Sequence, residues 1–152
     1  MDNDKMYNAV IVDEQTLTAG QPTEDQLRSA AADGYANVIN LATLDPGKAL
    51  PDEAGLVRSL GMAYFHIPVV WSNPQLSDFA AFESVMTQLP AGKTLIHCAA
   101  NFRVTAFYSL YAQKHLGWTE ERAEDFRALI WAGSNNAVWE DFIECIKGQI
   151  GT

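Results

Sequence analysis

Strands alternating with helices predict an α/β fold: a small, mainly parallel central sheet flanked by helices. Three observations carry this expectation. Short apolar runs bounded by turn residues recur at Thr16–Ala19, Asn37–Ala42, Ala63–Val70 and Thr94–His97. Stretches with helical apolar spacing lie between them and end at Gly34, Gly61 and Pro90. The last run leads through His97-Cys98 and a short loop into a helix, and in parallel sheets ligand sites lie beyond such strand ends.

In order along the chain, residues 1–15 form a polar lead-in that contains the short apolar segment Ala9-Val10-Ile11-Val12. Thr16–Ala19 ends at Gly20-Gln21-Pro22, and Thr23 then caps a helix with Gln26 completing a capping box. Leu27, Ala30 and Ala31 give this helix an apolar face. The strand around Val38-Ile39-Asn40-Leu41 is followed by a loop with Asp45-Pro46-Gly47. Pro51 suits the first turn of the next helix, where Asp52 and Glu53 complement the dipole and Ala54, Val57 and Leu60 face inward. After Ala63–Val70 comes the loop Trp71-Ser72-Asn73-Pro74, then a helix over about Ser77–Leu89 with Phe79, Phe82, Met86 and Leu89 on one face. The helix after Arg103 carries Val104, Phe107, Tyr108, Leu110 and Tyr111 around most of its surface, the mark of a central buried helix. Thr119 caps a further helix with Ala123, Phe126 and Ile130 inward, and Asn135 or Asn136 caps a last one to about Lys147.

The chain has 152 residues, 48% apolar and 19% charged, which fits a single domain over residues 1–152 with its own core. The formal charge of −9 argues against nucleic acid and anionic membranes as partners. There is no run long enough to span a bilayer and no signal-peptide pattern over Met1–Val10, although a leader removed earlier would leave no trace. Two cysteines, Cys98 and Cys145, make no disulfide framework, so the cytoplasm is the default location. Oligomeric state is not legible.

Chemistry concentrates in Leu95-Ile96-His97-Cys98-Ala99-Ala100-Asn101-Phe102-Arg103. A cysteine at the mouth of a loop that opens a helix sits among unpaired backbone N–H groups, which favour the thiolate form and bind oxyanions. Arg103 adds a planar fork for two anion oxygens. A cation at a helix start opposes the dipole, so an anion there would offset it. Ala99, Ala100, Asn101 and Phe102 form the expected oxyanion-binding loop. Asn101 is expected to supply a left-handed backbone position. Phe102 is either a pocket wall or the loop's packing anchor. His97 is expected to orient the site from behind.

Gly20-Gln21-Pro22-Thr23, Val38-Ile39-Asn40-Leu41, Glu53, His66-Ile67-Pro68-Val69 and His97-Cys98…Arg103, in that order, resemble the bacterial DUF442 proteins, phosphatase-like relatives of the dual-specificity and tyrosine phosphatases. The resemblance covers roughly residues 14–110 and implies a protein tyrosine phosphatase-like fold, a Cys98 nucleophile and Arg103 as the anion clamp. Two departures stand out. Tyrosine phosphatases place five residues between Cys and Arg; here there are four, a spacing shared with many rhodanese sulfurtransferases. Those families place glycine at the third position after the cysteine, where this chain has Asn101. Thr105 stands where the phosphatase motif has the hydroxyl that bonds the sulfur. The second departure is the general acid. Dual-specificity phosphatases carry an Asp in the loop that here reads Val70-Trp71-Ser72-Asn73-Pro74, leaving Asp45 and Asp78 as the acids within reach by sequence.

The remaining residues take ordinary roles. Glu53 reads as a helix-start charge, His66 as a core histidine, His115 as a cation near a helix C-terminus, and Cys145, beside Phe142 and Ile146, as core. Trp71, Trp118, Trp131 and Trp139 read as packing residues, Trp71 also as a cleft wall. The histidines and cysteines lack metal-ligand spacing, so neither a metal nor another cofactor is expected. Three functions stay open: a cysteine-dependent phosphatase acting on a phosphorylated substrate, a rhodanese-like sulfurtransferase working through a Cys98 persulfide, and a non-catalytic oxyanion or phosphopeptide binder.

Overall fold

The computed structural model describes residues 6–150. Its elements are β1 (Val10–Ile11), β2 (Thr16–Ala19), α1 (Glu24–Ala32), β3 (Tyr35–Asn40), α2 (Glu53–Ser59), β4 (Ala63–His66), α3 (Leu76–Thr87), β5 (Lys93–His97), α4 (Phe102–His115), α5 (Glu120–Trp131) and α6 (Ala137–Ile150). The five strands form one sheet in the order β1-β2-β5-β3-β4. β1 runs antiparallel to β2, and every other pairing is parallel.

Register fixes where the site stands. His97 lies beside Ala19 of β2 and Asn40 of β3, and Asn40 lies beside His66 of β4. Four parallel strands therefore end at one level, and the segments that follow leave the sheet along a common edge. Side chains alternate between faces. Val38 and Leu95 pack with Leu27 and Ala30 of α1 and Val57 of α2. Their neighbours Ile39 and Ile96 pack with Phe79 and Phe82 of α3, Phe107 of α4 and Trp139 of α6. Cover on both faces explains why the central strands read as unbroken apolar runs. In α4, every residue from Arg103 to Ala112 is buried.

Local signals place several boundaries. Thr23 Oγ1 accepts from Gln26 N–H at 3.1 Å, and Gln26 returns a bond to Thr23 N–H at 2.9 Å, which starts α1. Asn136, not Asn135, caps α6 by accepting from Trp139 N–H at 3.1 Å. The expected strand over Ala63–Val70 is shorter. β4 ends at His66, because Pro68 has no N–H for a ladder, although Ile67 and Val69 still donate to Asn40 and Leu41. β3 is shifted two residues toward the N-terminus of the expected run, and α3 starts and stops slightly early. Cys145 corrects the sequence reading: it is exposed, beside the face of α6 that buries Phe142 and Ile146. The first residues of the polar lead-in lie outside the described residues. No helix among the described residues is long and apolar enough to cross a membrane.

Candidate active site

Cys98 is the first residue beyond β5, and its N–H donates to Ala19 O at 3.3 Å. The loop is then tied outward, bond by bond. Gln21 N–H donates to Ala99 O at 3.0 Å, Gly20 and Ala100 form an antiparallel bridge, and Asn8 Nδ2 donates to Ala100 O at 3.1 Å. Because a trans peptide points its N–H opposite its carbonyl, the Ala99–Ala100 bond turns the Ala100 N–H toward the concave side. Gly20 makes this approach possible. A Cβ there would stand 2.6 Å from Ala99 O.

Asn101 takes φ 70°, ψ 7°, the left-handed turn that carries the chain into α4. Its amide points away from the loop's concave side and donates to Asn8 O at 2.9 Å and Thr18 Oγ1 at 3.1 Å. It occupies the N-cap position without a side-chain cap, so the first-turn N–H groups of α4 stay available to a ligand. Thr105 Oγ1 donates to Asn101 O at 2.8 Å and holds the loop's far end. That bond takes the hydroxyl to the backbone, where the phosphatase motif takes it to the sulfur.

The loop forms one wall of a cavity of about 670 Å³, lined by Thr43, Asp45, Lys48, Trp71, Cys98, Ala99, Ala100, Phe102, Arg103, Trp131, Ser134, Asn135 and Asn136. Cys98 is nearly inaccessible, at 1% exposure, and Arg103 is buried too, at 7%. Arg103 Nη1 donates to Val69 O at 2.8 Å. This bond fixes the plane of the guanidinium and leaves its other donors for an anion. Phe102 and Arg103 therefore both reach the cavity, whereas Asn101 does not line it.

Beneath the loop lies a buried polar chain. His97 Nε2 meets Glu53 Oε2 at 2.6 Å, and His97 Nδ1 faces Cys98 O at 3.2 Å. Gln21 Nε2 donates to Glu53 Oε1 at 2.8 Å. Glu53 thus corrects the sequence reading. It opens α2, but it is 3% exposed and serves as the partner of His97. A carboxylate that deep needs such partners. Burial alone would raise its pKa, yet the hydrogen bond and charge of His97 with the Gln21 amide outweigh burial and hold it below the ordinary 4.5. Burial and the neighbouring Glu53 push the Tyr64 hydroxyl up to about 12, against the lowering effect of Asn40. His66 Nε2 bonds to Ala42 O at 2.7 Å, as a satisfied core histidine does.

The two acids separate clearly. Asp45 lines the cavity, and Thr43 Oγ1 donates to its Oδ2 at 3.0 Å. Asp78 accepts from Gln75 N–H at 2.9 Å in the capping box of α3 and does not line the cavity. The Val70–Pro74 loop contributes Trp71 instead. Trp71 stacks on Trp131 at 5.8 Å and on Trp139 at 5.4 Å, with Phe102 edge-on at 6.0 Å. Trp139 Nε1 donates to Trp71 O at 2.7 Å and Trp131 Nε1 to Phe102 O at 3.0 Å. Trp131 is therefore a site residue, not packing alone. Lys48 and the Ser134–Asn136 corner were also missed. Lys48 follows a Pro-Gly turn beyond a strand's carboxyl end, a signal that could have found it; the α5–α6 corner carries none. Among the described residues, no three His, Cys, Asp or Glu side chains group to hold a metal ion.

A crystal structure of a DUF442 protein from Shewanella putrefaciens CN-32, named as a phosphatase candidate, matches with a TM-score of 0.87 and 30% identity, covering 99% of each chain. Tk-PTP in its active form matches at 0.75 with 16% identity, over 93% of this chain and 97% of that one. The core catalytic domain of a PP-IP phosphatase from S. cerevisiae matches at 0.73 with 15% identity, over 96% and 92%. The last two show the fold alone, a protein tyrosine phosphatase-like one. In sequence, the "Beta-lactamase hydrolase-like protein" of Xylella fastidiosa is 29% identical over 107 residues, 66% of this chain, in two strains. The chain spans about a quarter of the length of these curated relatives. No protein-family model matches the chain.

Proposed function

We propose that this chain, which belongs to the DUF442 family, is a cysteine-dependent phosphatase that hydrolyses a phosphate monoester through a phosphocysteine at Cys98. One observation carries this reading. Cys98, the first turn of α4 and the Arg103 guanidinium share one wall of the same cavity. The Cys98 thiolate attacks phosphorus, the S–P bond forms and the ester P–O bond breaks. Loop N–H groups and Arg103 hold the non-bridging oxygens as charge redistributes. Asp45, the carboxylate that lines the cavity, gives its proton to the leaving oxygen. Water, deprotonated by the same carboxylate, then attacks phosphorus, the S–P bond breaks and phosphate leaves.

A second reading rests on a different observation: only four residues separate Cys98 from Arg103, and the Val70–Pro74 loop holds no carboxylate. In sulfur transfer the Cys98 thiolate attacks the outer sulfur of thiosulfate, the S–S bond breaks and sulfite leaves with the electron pair. Arg103 holds the donor's oxygens, and the persulfide passes its sulfur to a nucleophile such as cyanide. No general acid is needed.

The deciding experiment assays an aryl phosphate and thiosulfate with cyanide side by side, with Cys98→Ser as the blank. Phosphate release that disappears in Cys98→Ser is the expected result. Thiocyanate formation without phosphate release would establish the sulfurtransferase. Neither activity, with phosphate or vanadate still bound by the wild type and lost in Arg103→Ala, would leave an oxyanion binder.

A further inference from the structure

The cavity holds two cations in a chain whose formal charge is −9. They are held differently. Arg103 is buried on the floor, fixed to Val69 O. Lys48 is exposed at the rim, on the loop that follows β3. The other described Lys and Arg side chains each sit on a carboxylate, an aromatic ring, or a carbonyl or hydroxyl oxygen. Lys48 has none of these partners among the described residues. In so acidic a chain, an unpaired ammonium over an anion cradle marks a second anion position. Trp71 and Trp131 form the aromatic wall of the same cavity.

We infer that Lys48 is a specificity-determining residue, and that the substrate is bis-anionic. Its phosphate sits in the Cys98 loop, its body lies against Trp71 and Trp131, and a second acid group meets Lys48 at the rim. This deepens the phosphatase reading and rests on its cradle, not on turnover.

The test measures binding to the Cys98→Ser protein by tryptophan fluorescence. The ligands are phenyl phosphate, para-carboxyphenyl phosphate and the neutral isostere para-carbamoylphenyl phosphate, with the meta isomers alongside. At low ionic strength one carboxylate isomer should bind about threefold to fivefold more tightly than its carboxamide, the range expected of a partly exposed ion pair. Salt should shrink that ratio, and Lys48→Met, introduced into Cys98→Ser, should bring it to one. Equal affinities for carboxylate and carboxamide, or a preference that survives Lys48→Met, would overturn the inference and leave the cradle intact. If none of the aryl phosphates binds, the cradle reading fails and takes this inference with it.

Discussion

Asn101 shows how a single residue can serve a site it does not line. Its backbone turns left-handed at φ 70° and its amide ties the loop to Asn8 and Thr18. Asn101→Gly keeps that conformation and loses two hydrogen bonds, at about 1 kcal/mol each. Asn101→Ala loses the same bonds and, unlike glycine, holds a Cβ in the left-handed region without asparagine's polar side chain, a cost of about 1 kcal/mol relative to Gly. Urea unfolding should therefore rank wild type above Gly and Gly above Ala. Ala as stable as Gly would show that φ does not select asparagine here. Cys98, Arg103 and the bend at Asn101 were legible because each follows from chemistry local to one loop. Glu53 was not. Its position at a helix start explains a carboxylate without any partner, and the partner, His97, is distant in sequence. Cys145 was misread because Phe142 and Ile146 lie on a neighbouring face of the same helix, and spacing alone did not tell the two faces apart.

Among the elements, the end of β5, the start of α2 and the segment after β2 meet at the buried pair of Glu53 and His97, through His97, Glu53 and Gln21, so that pair couples the site to stability. The folded protein holds Glu53 below its ordinary pKa, against burial, through His97 and Gln21. A depressed carboxylate contributes stability that is complete above its unfolded value and lost as pH falls through the folded one. The loss should begin near pH 4.5 and deepen below it. Glu83 is lowered as well, His115 and Lys114 outweighing its burial, so the informative quantity is a difference between proteins. Glu53→Gln should cost about 1–3 kcal/mol at neutral pH, the cost of leaving a buried hydrogen-bonding group without its partner. The gap between the two proteins should narrow on acidification. Urea denaturation at a series of pH values measures it, and a gap that stays constant from neutral to pH 3 or widens would contradict the assignment. Element boundaries were legible where caps marked them, at Thr23 and Asn136. They slipped where a proline broke the ladder without breaking the extended chain, at Pro68.

At the scale of the whole molecule, alternation of strand and helix made the fold class legible, but strand order was not, and strand order decides which of the two carboxylates lines the cavity. β3 lies directly beside β5, so the loop after β3 comes out next to the Cys98 loop and brings Asp45 to the cavity. Asp78 follows the edge strand β4 and is spent on the start of α3. Asp45 therefore makes a clear prediction. A general acid contributes roughly 10²–10⁴-fold, and most where the leaving oxygen is a poor one. Across aryl phosphates of increasing phenol pKa, kcat/KM of the wild type should fall shallowly. Asp45→Asn should match the wild type closely with para-nitrophenyl phosphate, whose leaving group departs with little protonation, and fall progressively behind as the phenol becomes more basic. A uniform loss across the series would make Asp45 a substrate-binding residue. A steep wild-type slope that Asp45→Asn leaves unchanged would mean that no acid acts. The chemistry would then be confined to activated esters, and the four-residue loop would weigh toward sulfur transfer.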